Sequence, residues 1–391
     1  MWVAVSLVLA TFAVFHGARV VRNLHKWHWE DGRHFHHNRE EIHSLADCFT
    51  KATAWSGGAE ATYRPLSASV YYFTGRTLFH NRLEVYHSIN AAVFVLNAVL
   101  LFLVCRHLLP GAWALVPPLL FVSRLAHLQV ATYTSLIDDL SYTAFSLLAL
   151  ELFLVARRRE RDWLLAAALL AFTLALLCKE GAVVWPLIVL AYGWLFDRAS
   201  AWRKYALVFV PALAWATAYP RIVRALYPEG TPRFALDLGP GRVLERYAAY
   251  LLTFFNGLIE PVDPERAGFA MARRVAALAS RPAVIALMGA LVVLELGVLW
   301  RARFRPASVG EAARVAAFGF AWFLAAVAPF AAVADRLFMR YSYFGHAGVA
   351  TAIGGLALAA QRPLAARLRS GPIGRLPFFR RHDAVVTSSA P

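Results

Sequence analysis

Apolar runs approaching twenty residues recur from the first residue of this chain to about residue 360. A helix needs about 20 apolar residues to cross the hydrocarbon core of a bilayer. Backbone exposed to lipid must satisfy its own hydrogen bonds, so such runs fold as helices. The pattern therefore predicts an all-α polytopic membrane protein. Composition agrees: 16% of the 391 residues are charged and 59% are hydrophobic, whereas soluble domains carry about a quarter charged residues.

Ten spans are expected. They are Met1 to Val21, Asn90 to Cys105, Ala112 to Val122, Leu140 to Ala156, Trp163 to Cys178, Ala182 to Phe196, Tyr205 to Pro220, Ala283 to Trp300, Val315 to Val333 and Ala347 to Ala360. A bundle of about 10–12 helices is expected, with the short apolar segment Tyr247 to Ile259 re-entrant or interfacial. The first span has no basic residue before its apolar run, so it reads as a retained helix rather than a cleaved signal. Cys48, Cys105 and Cys178 form no disulfide framework.

Arginine sets the expected orientation. Four arginines lie in Ala156–Arg161, three in Arg301–Pro306 and six in the tail from Arg362, and the link from Asp197 to Lys204 is also basic. Cytoplasmic loops concentrate such residues. Both termini then face the cytoplasm. The net charge of +16 is explained by these loops, and nucleic acid is excluded as a partner. Residues 1–361 read as one transmembrane domain, with a first external loop at 23–84, carrying amphipathic helices, and a second external region at 221–282. Residues 362–391 read as a disordered basic tail. The alanine- and arginine-rich composition points to a bacterial cytoplasmic membrane.

Four polar clusters fall on the expected external face. The first loop holds Glu30, Asp31 and Arg64; a second group holds His127, Asp138 and Asp139; a third is Lys179-Glu180; the fourth holds Asp335, Arg336, Arg340 and Tyr341. A charge at a bilayer boundary is costly unless it is paired or faces a water-filled cavity. Together the clusters predict a polar cavity that opens outward. Taken singly each has a plainer reading: a helix cap at Asp138-Asp139, an interfacial ion pair at Lys179-Glu180, membrane-interface anchors at Arg340-Tyr341, and solvated loop charge at Glu30-Asp31. The histidines His25, His28, His34, His36, His37 and His43 match no zinc-ligand spacing.

The wording of these clusters resembles a known family. YRPLSASVYYF followed by YHSINAAVFVLN, then HLQVATYTSLIDDL, LLCKEGAVVWP and RYSYFGHAGVA, resemble the ordered motifs of GT-C membrane glycosyltransferases. The nearest group is the transmembrane and tetratricopeptide-repeat O-mannosyltransferases and their bacterial relatives, although no repeat domain follows here. The resemblance implies a GT-C-like helical bundle and a sugar donor carried on polyprenyl phosphate, with mannose one candidate. It also implies a hydroxyl acceptor on a protein, glycan or lipid. Asp31 would be the general base, with Glu30 beside it. Arg64, Lys179 and Arg340 would hold the lipid phosphate, and His127, Asp139, Glu180 and Tyr341 would complete the substrate site. Gln129 stands where the family carries a glutamate, which leaves open whether Asp139 or Asp31 binds a divalent metal. Two rival readings fit the same residues: a transporter with an outward-facing polar cavity, and a non-catalytic scaffold of the same fold.

Overall fold

The computed structural model describes residues 1–26, 29–51, 53–55, 60–197, 202–226, 236–255, 277–304, 310–332 and 339–370. Each expected span corresponds to a helix. In chain order these begin with α1 (Trp2–Asn23), which is followed by α2 (Trp29–Glu41), a hairpin of β1 (Thr53–Trp55) and β2 (Glu60–Thr62), and α3 (Tyr71–Phe79). Then come α4 (Leu83–Cys105), α5 (Val116–Val122), α6 (Ile137–Arg159), α7 (Asp162–Cys178) and α8 (Trp185–Phe196). The chain continues with α9 (Phe209–Leu226), α10 (Pro240–Phe255), α11 (Pro282–Phe304), α12 (Glu311–Ala331) and α13 (Tyr343–Ser370).

Seven of the described helices (α1, α4, α6, α9, α11, α12 and α13) are long and apolar enough to cross a membrane. The three shorter apolar segments contain α5, α7 and α8. Prolines open two of these: Pro117 and Pro186 lie in the first turns of α5 and α8, where a missing N–H is no loss. The architecture is thus an all-α polytopic bundle.

Packing is tightest where side chains are small. In α12 and α13, Gly319 and Gly348 bring the two backbones into contact: a Cβ on Gly348 would lie 2.6 Å from the Gly319 carbonyl oxygen. The α7–α8 corner is filled by the Phe172 and Trp185 rings, stacked at 4.7 Å. The Trp185 indole N–H donates to the Ser146 carbonyl of α6 at 3.0 Å. At the arginine-rich end of α6, Arg157 pairs with Asp197 at 2.5 Å, and the Tyr205 hydroxyl donates to the same carboxylate at 2.9 Å.

Polar residues spaced two turns apart on α4 tie it to the start of α6. Asn90 donates to the Tyr133 carbonyl at 2.9 Å and Asn97 to the Leu140 carbonyl at 3.1 Å. Each such buried bond is worth about 1 kcal/mol, and more if its partner is left unpaired. The Tyr71 hydroxyl donates back to Asn90 at 2.8 Å and so attaches α3 to the same point.

Two expectations are refined. Tyr247 to Ile259 was expected to be re-entrant or interfacial; its described part lies in α10, which buries Ala248, Ala249, Tyr250, Thr253 and Phe254 within the bundle. The Tyr247 hydroxyl donates to the Leu324 carbonyl of α12 at 2.8 Å, and residues 256–259 lie outside the described part. The tail was expected to be disordered from residue 362, yet α13 runs on to Ser370. Alanine, leucine and arginine dominate that stretch, and all three favour helix. Residues 371–391 lie outside the described part.

The first loop is anchored rather than loose. The Arg76 guanidinium donates to the carbonyls of Asn38 (2.7 Å) and Ile42 (2.5 Å), clasping the C-terminal end of α2 against α3. Asn38 returns a bond to the Ser69 carbonyl at 3.1 Å. Three of the histidines of this region make local contacts: His34 stacks on Tyr72 at 5.2 Å, His36 meets Glu40 at 3.1 Å, and His25 meets Glu84 at 2.8 Å.

Candidate functional site

The YRPL segment reaches the bundle through three local devices. Pro65 starts a π-helical turn, Pro65–Val70. The Tyr63 hydroxyl donates to the Phe49 carbonyl at 3.0 Å. The Ser67 hydroxyl donates at 2.6 Å to the carbonyl of Cys178, one of the unsatisfied acceptors at the end of α7. Arg64 is thereby set beside the α7–α8 break.

That break explains the next step. Lys179 has an extended backbone (φ −160°, ψ 134°) between α7 and the 3-10 turn Glu180–Val184. Successive side chains of an extended backbone point to opposite sides, so Lys179 and Glu180 part company. Asp138 and Asp139, in the first turn of α6, likewise diverge around the helix. Three interleaved ion pairs result, two made by Arg64 and one by Lys179. Arg64 places Nε and Nη2 on Glu180, at 2.9 and 2.5 Å, and Nη1 on Asp138. Lys179 places Nζ 2.5 Å from Asp139.

The pairs of the two cations differ in access. Lys179 and Asp139 each expose only 1% of their side chains, and the ammonium lies 5.1 Å from the Tyr341 ring centre and 5.7 Å from that of Tyr142. Glu180 exposes 26% of its side chain. Arg340 stands close enough to Asp138 and Asp139 to act on their charge. Burial works against charge on Arg64, but Glu180 and Asp138 outweigh it and hold its pKa well above the usual arginine value. The guanidinium is therefore a fixed cation. The three cations and three carboxylates of this cluster balance.

Glu180 also lines a cavity of about 320 Å³. Its other walls include Trp215, Tyr219 and Pro220 of α9, Phe330 of α12, and Tyr341. Phe330 and Tyr341 stack at 4.5 Å. Tyr63, Trp215 and Tyr219 continue the aromatic wall, with ring centres 6.0 and 5.5 Å apart. The Trp215 indole N–H has no hydrogen-bond partner among the described residues. A charged head and an apolar slot meet at Glu180.

The structure thus brings Arg64, Asp138, Asp139, Lys179, Glu180, Arg340 and Tyr341 together. His127 lies apart from the ion pairs, with one ring nitrogen 2.9 Å from the Phe121 carbonyl and the other 2.8 Å from His346. Glu30 and Asp31 fall in the first turn of α2, but their side chains lie outside the described residues, as do Asp335 and Arg336. One turn further along α2, His34 is close enough to Asp138 for their charges to interact. Cys48, Cys105 and Cys178 are buried and free.

A divalent metal at Asp139 does not fit this arrangement. One carboxylate oxygen already meets the Lys179 ammonium, a cation where the metal would sit. Among the described residues no group of three or more His, Cys, Asp or Glu side chains converges to hold an ion.

Sequence reasoning missed the α9 wall. Trp215 and Tyr219 are one helical turn apart on an otherwise ordinary apolar run, and nothing in their local wording separates them from membrane-facing aromatics. No protein-family model matches this chain, and neither a curated protein nor a solved structure matches it.

Proposed function

We propose that this protein is a GT-C-like membrane glycosyltransferase that moves a sugar from a polyprenyl-phosphate carrier to a hydroxyl acceptor on the external face. The observation that carries the reading is the junction at Glu180, where a buried ionic cluster opens onto an aromatic, apolar cavity. Such a junction suits an amphiphile whose anionic head takes the place of Glu180 on the Arg64 guanidinium. Supporting it is the ordered motif resemblance from YRPL to RYSY.

In this reading the acceptor oxygen attacks the anomeric carbon and its proton passes to Asp31. The bond from that carbon to the phosphate oxygen breaks, and polyprenyl phosphate leaves with the bonding pair. Arg64 and Arg340 stabilise the charge gained by the leaving phosphate. Arginine suits this role because its planar fork pairs with two oxygens. Lys179, sealed against Asp139, holds the frame and does not touch the phosphate. Arg64 must exchange a carboxylate oxygen for a phosphate oxygen as the donor binds.

The test uses purified protein in proteoliposomes supplied with radiolabelled polyprenyl-phosphate hexoses, mannose first, and a hydroxyl acceptor pool. Consumption of one labelled donor is expected, and Asp31→Asn should slow it by about 10²-fold or more with membrane expression intact. If no such donor is bound or consumed, a non-catalytic scaffold is the better reading. If Asp31→Asn keeps full activity, another group is the base.

The cavity yields a second test. Ala216 lines it on α9, and Ala216→Phe should fill much of the slot. We expect a tenfold or larger rise in KM for a long-chain donor and little change for one truncated to one or two isoprene units. Equal effects on both donors would place the carrier chain elsewhere.

A further inference from the structure

The two long helices in the wall of the cavity share an oddity. Each carries a proline inside the helix, Pro220 in α9 and Pro329 in α12, and both prolines line the cavity. Proline has no N–H, so the carbonyl four residues back loses its usual partner, and the ring presses on that carbonyl. The carbonyls concerned belong to Ala216, which itself lines the cavity, and to Ala325. An interior proline is the least favourable residue for a helix, whereas the prolines that open α5 and α8 cost nothing. Two such residues lining one slot call for an explanation.

The tight seam of α12 does not supply one. It runs along α13 from Gly319 to Val327, where a Cβ on Gly345 would lie 2.9 Å from the Val327 side chain. Pro329 comes after that seam. Just past it, Phe330 lies so close to Gly181 that a Cβ there would be 2.9 Å from the ring, and it stacks on Tyr341 at 4.5 Å. On α9, Trp215 reaches Tyr63 before the chain arrives at Pro220. Ala216 and Pro220 stay exposed, so the slot opens along α9, a helix that also turns Val210 and Leu213 outward. Its volume of about 320 Å³ is near the small end of the range for ligand sites, about 300–1,000 Å³. A small inward shift of either wall closes it.

We propose that Pro220 and Pro329 are positioning residues that turn α9 and α12 away from each other beside Glu180 and so keep the slot open for the isoprenoid chain of the donor. The identity of that occupant rests on the function proposed above; the opening does not. Each helix gives up one hydrogen bond to make it. The rival account is that the two rings only fill space, and it predicts the opposite sign: trimming a ring to a methyl group would then enlarge the slot.

Val183 lines the slot on the turn between α7 and α8. Val183→Cys reports access to it, because Cys48, Cys105 and Cys178 are buried. In proteoliposomes, labelling of the new thiol by a lipid-soluble maleimide should slow about fivefold or more with Pro220→Ala or Pro329→Ala. The two changes together should slow it further. The unfolding midpoint in detergent should equal or exceed that of the parent, because alanine restores the missing N–H and favours helix. KM for the long-chain donor should rise about fivefold or more with kcat unchanged, while KM for a donor truncated to one or two isoprene units should not move. Labelling that is unchanged or faster overturns the proposal. A midpoint below that of the parent overturns it too, because the bends would then serve the packing of the bundle. If the parent neither binds nor consumes such a donor, the proposed function falls, and the labelling still decides the role of the prolines.

Discussion

Lys179→Met should remove about 3–5 kcal/mol of stability, the cost typical of breaking a buried ion pair by deleting one partner. The methionine fills a similar volume, so the effect is electrostatic rather than a cavity. Asp139 would be left 1% exposed with no ammonium, and its second oxygen already lacks a hydrogen-bond partner among the described residues. Asp138, the next residue, adds a like charge. The paired change Lys179→Met with Asp139→Leu should recover most of the loss, because exchanging a whole buried pair for apolar groups is often neutral. Denaturant unfolding in detergent, followed by tryptophan fluorescence, measures both. A midpoint for Lys179→Met equal to that of the parent would mean that water reaches Asp139.

The second large effect belongs to the α12–α13 contact. Gly348→Val places a Cβ 2.6 Å from the Gly319 carbonyl oxygen and 2.7 Å from the Phe323 nitrogen. Both are backbone atoms of α12 and cannot rotate away. Overpacking commonly costs about 1–3 kcal/mol, and this contact lies at or above the upper end. Separation of the two helices also moves the first turns of α13, which carry Tyr343 and His346. The same assay should show a loss of about 3 kcal/mol or more for valine and a smaller one for Gly348→Ala. Midpoints for alanine and valine equal to that of the parent would show that α13 can shift without cost.

Much of the bundle was legible because its cause is local. An apolar run at membrane length is a helix wherever it packs, so ten segments and their approximate ends could be read directly. The clusters were legible for a similar reason: Arg64, Asp138, Lys179 and Glu180 each interrupt an apolar context or end a helix. Their pairing was not. The sequence grouped Arg64, Lys179 and Arg340 as cations awaiting a phosphate, whereas the fold matches Arg64 to Glu180 and Asp138, and Lys179 to Asp139. In a dry setting a lone cation is costly, so a resting site supplies its own counter-charges. Contacts between distant segments were invisible for another reason. His127 and His346 are 219 residues apart, and each reads alone as an ordinary polar residue near a helix start.

The Arg76 clasp has a mechanical consequence. It grips α2 at Asn38 and Ile42, the end far from Glu30 and Asp31. From Asp31 to Ile42 a helix measures about 16 Å at 1.5 Å per residue. A pivot of about 5° at the clasp therefore swings the acidic turn by about 1.4 Å. On the role proposed for Asp31, a displacement of about 1 Å is enough to cost about 10²-fold in rate. The guanidinium and the His34–Tyr72 stack together fix the direction of this helix, and with it, on the role proposed for Asp31, the aim of the base.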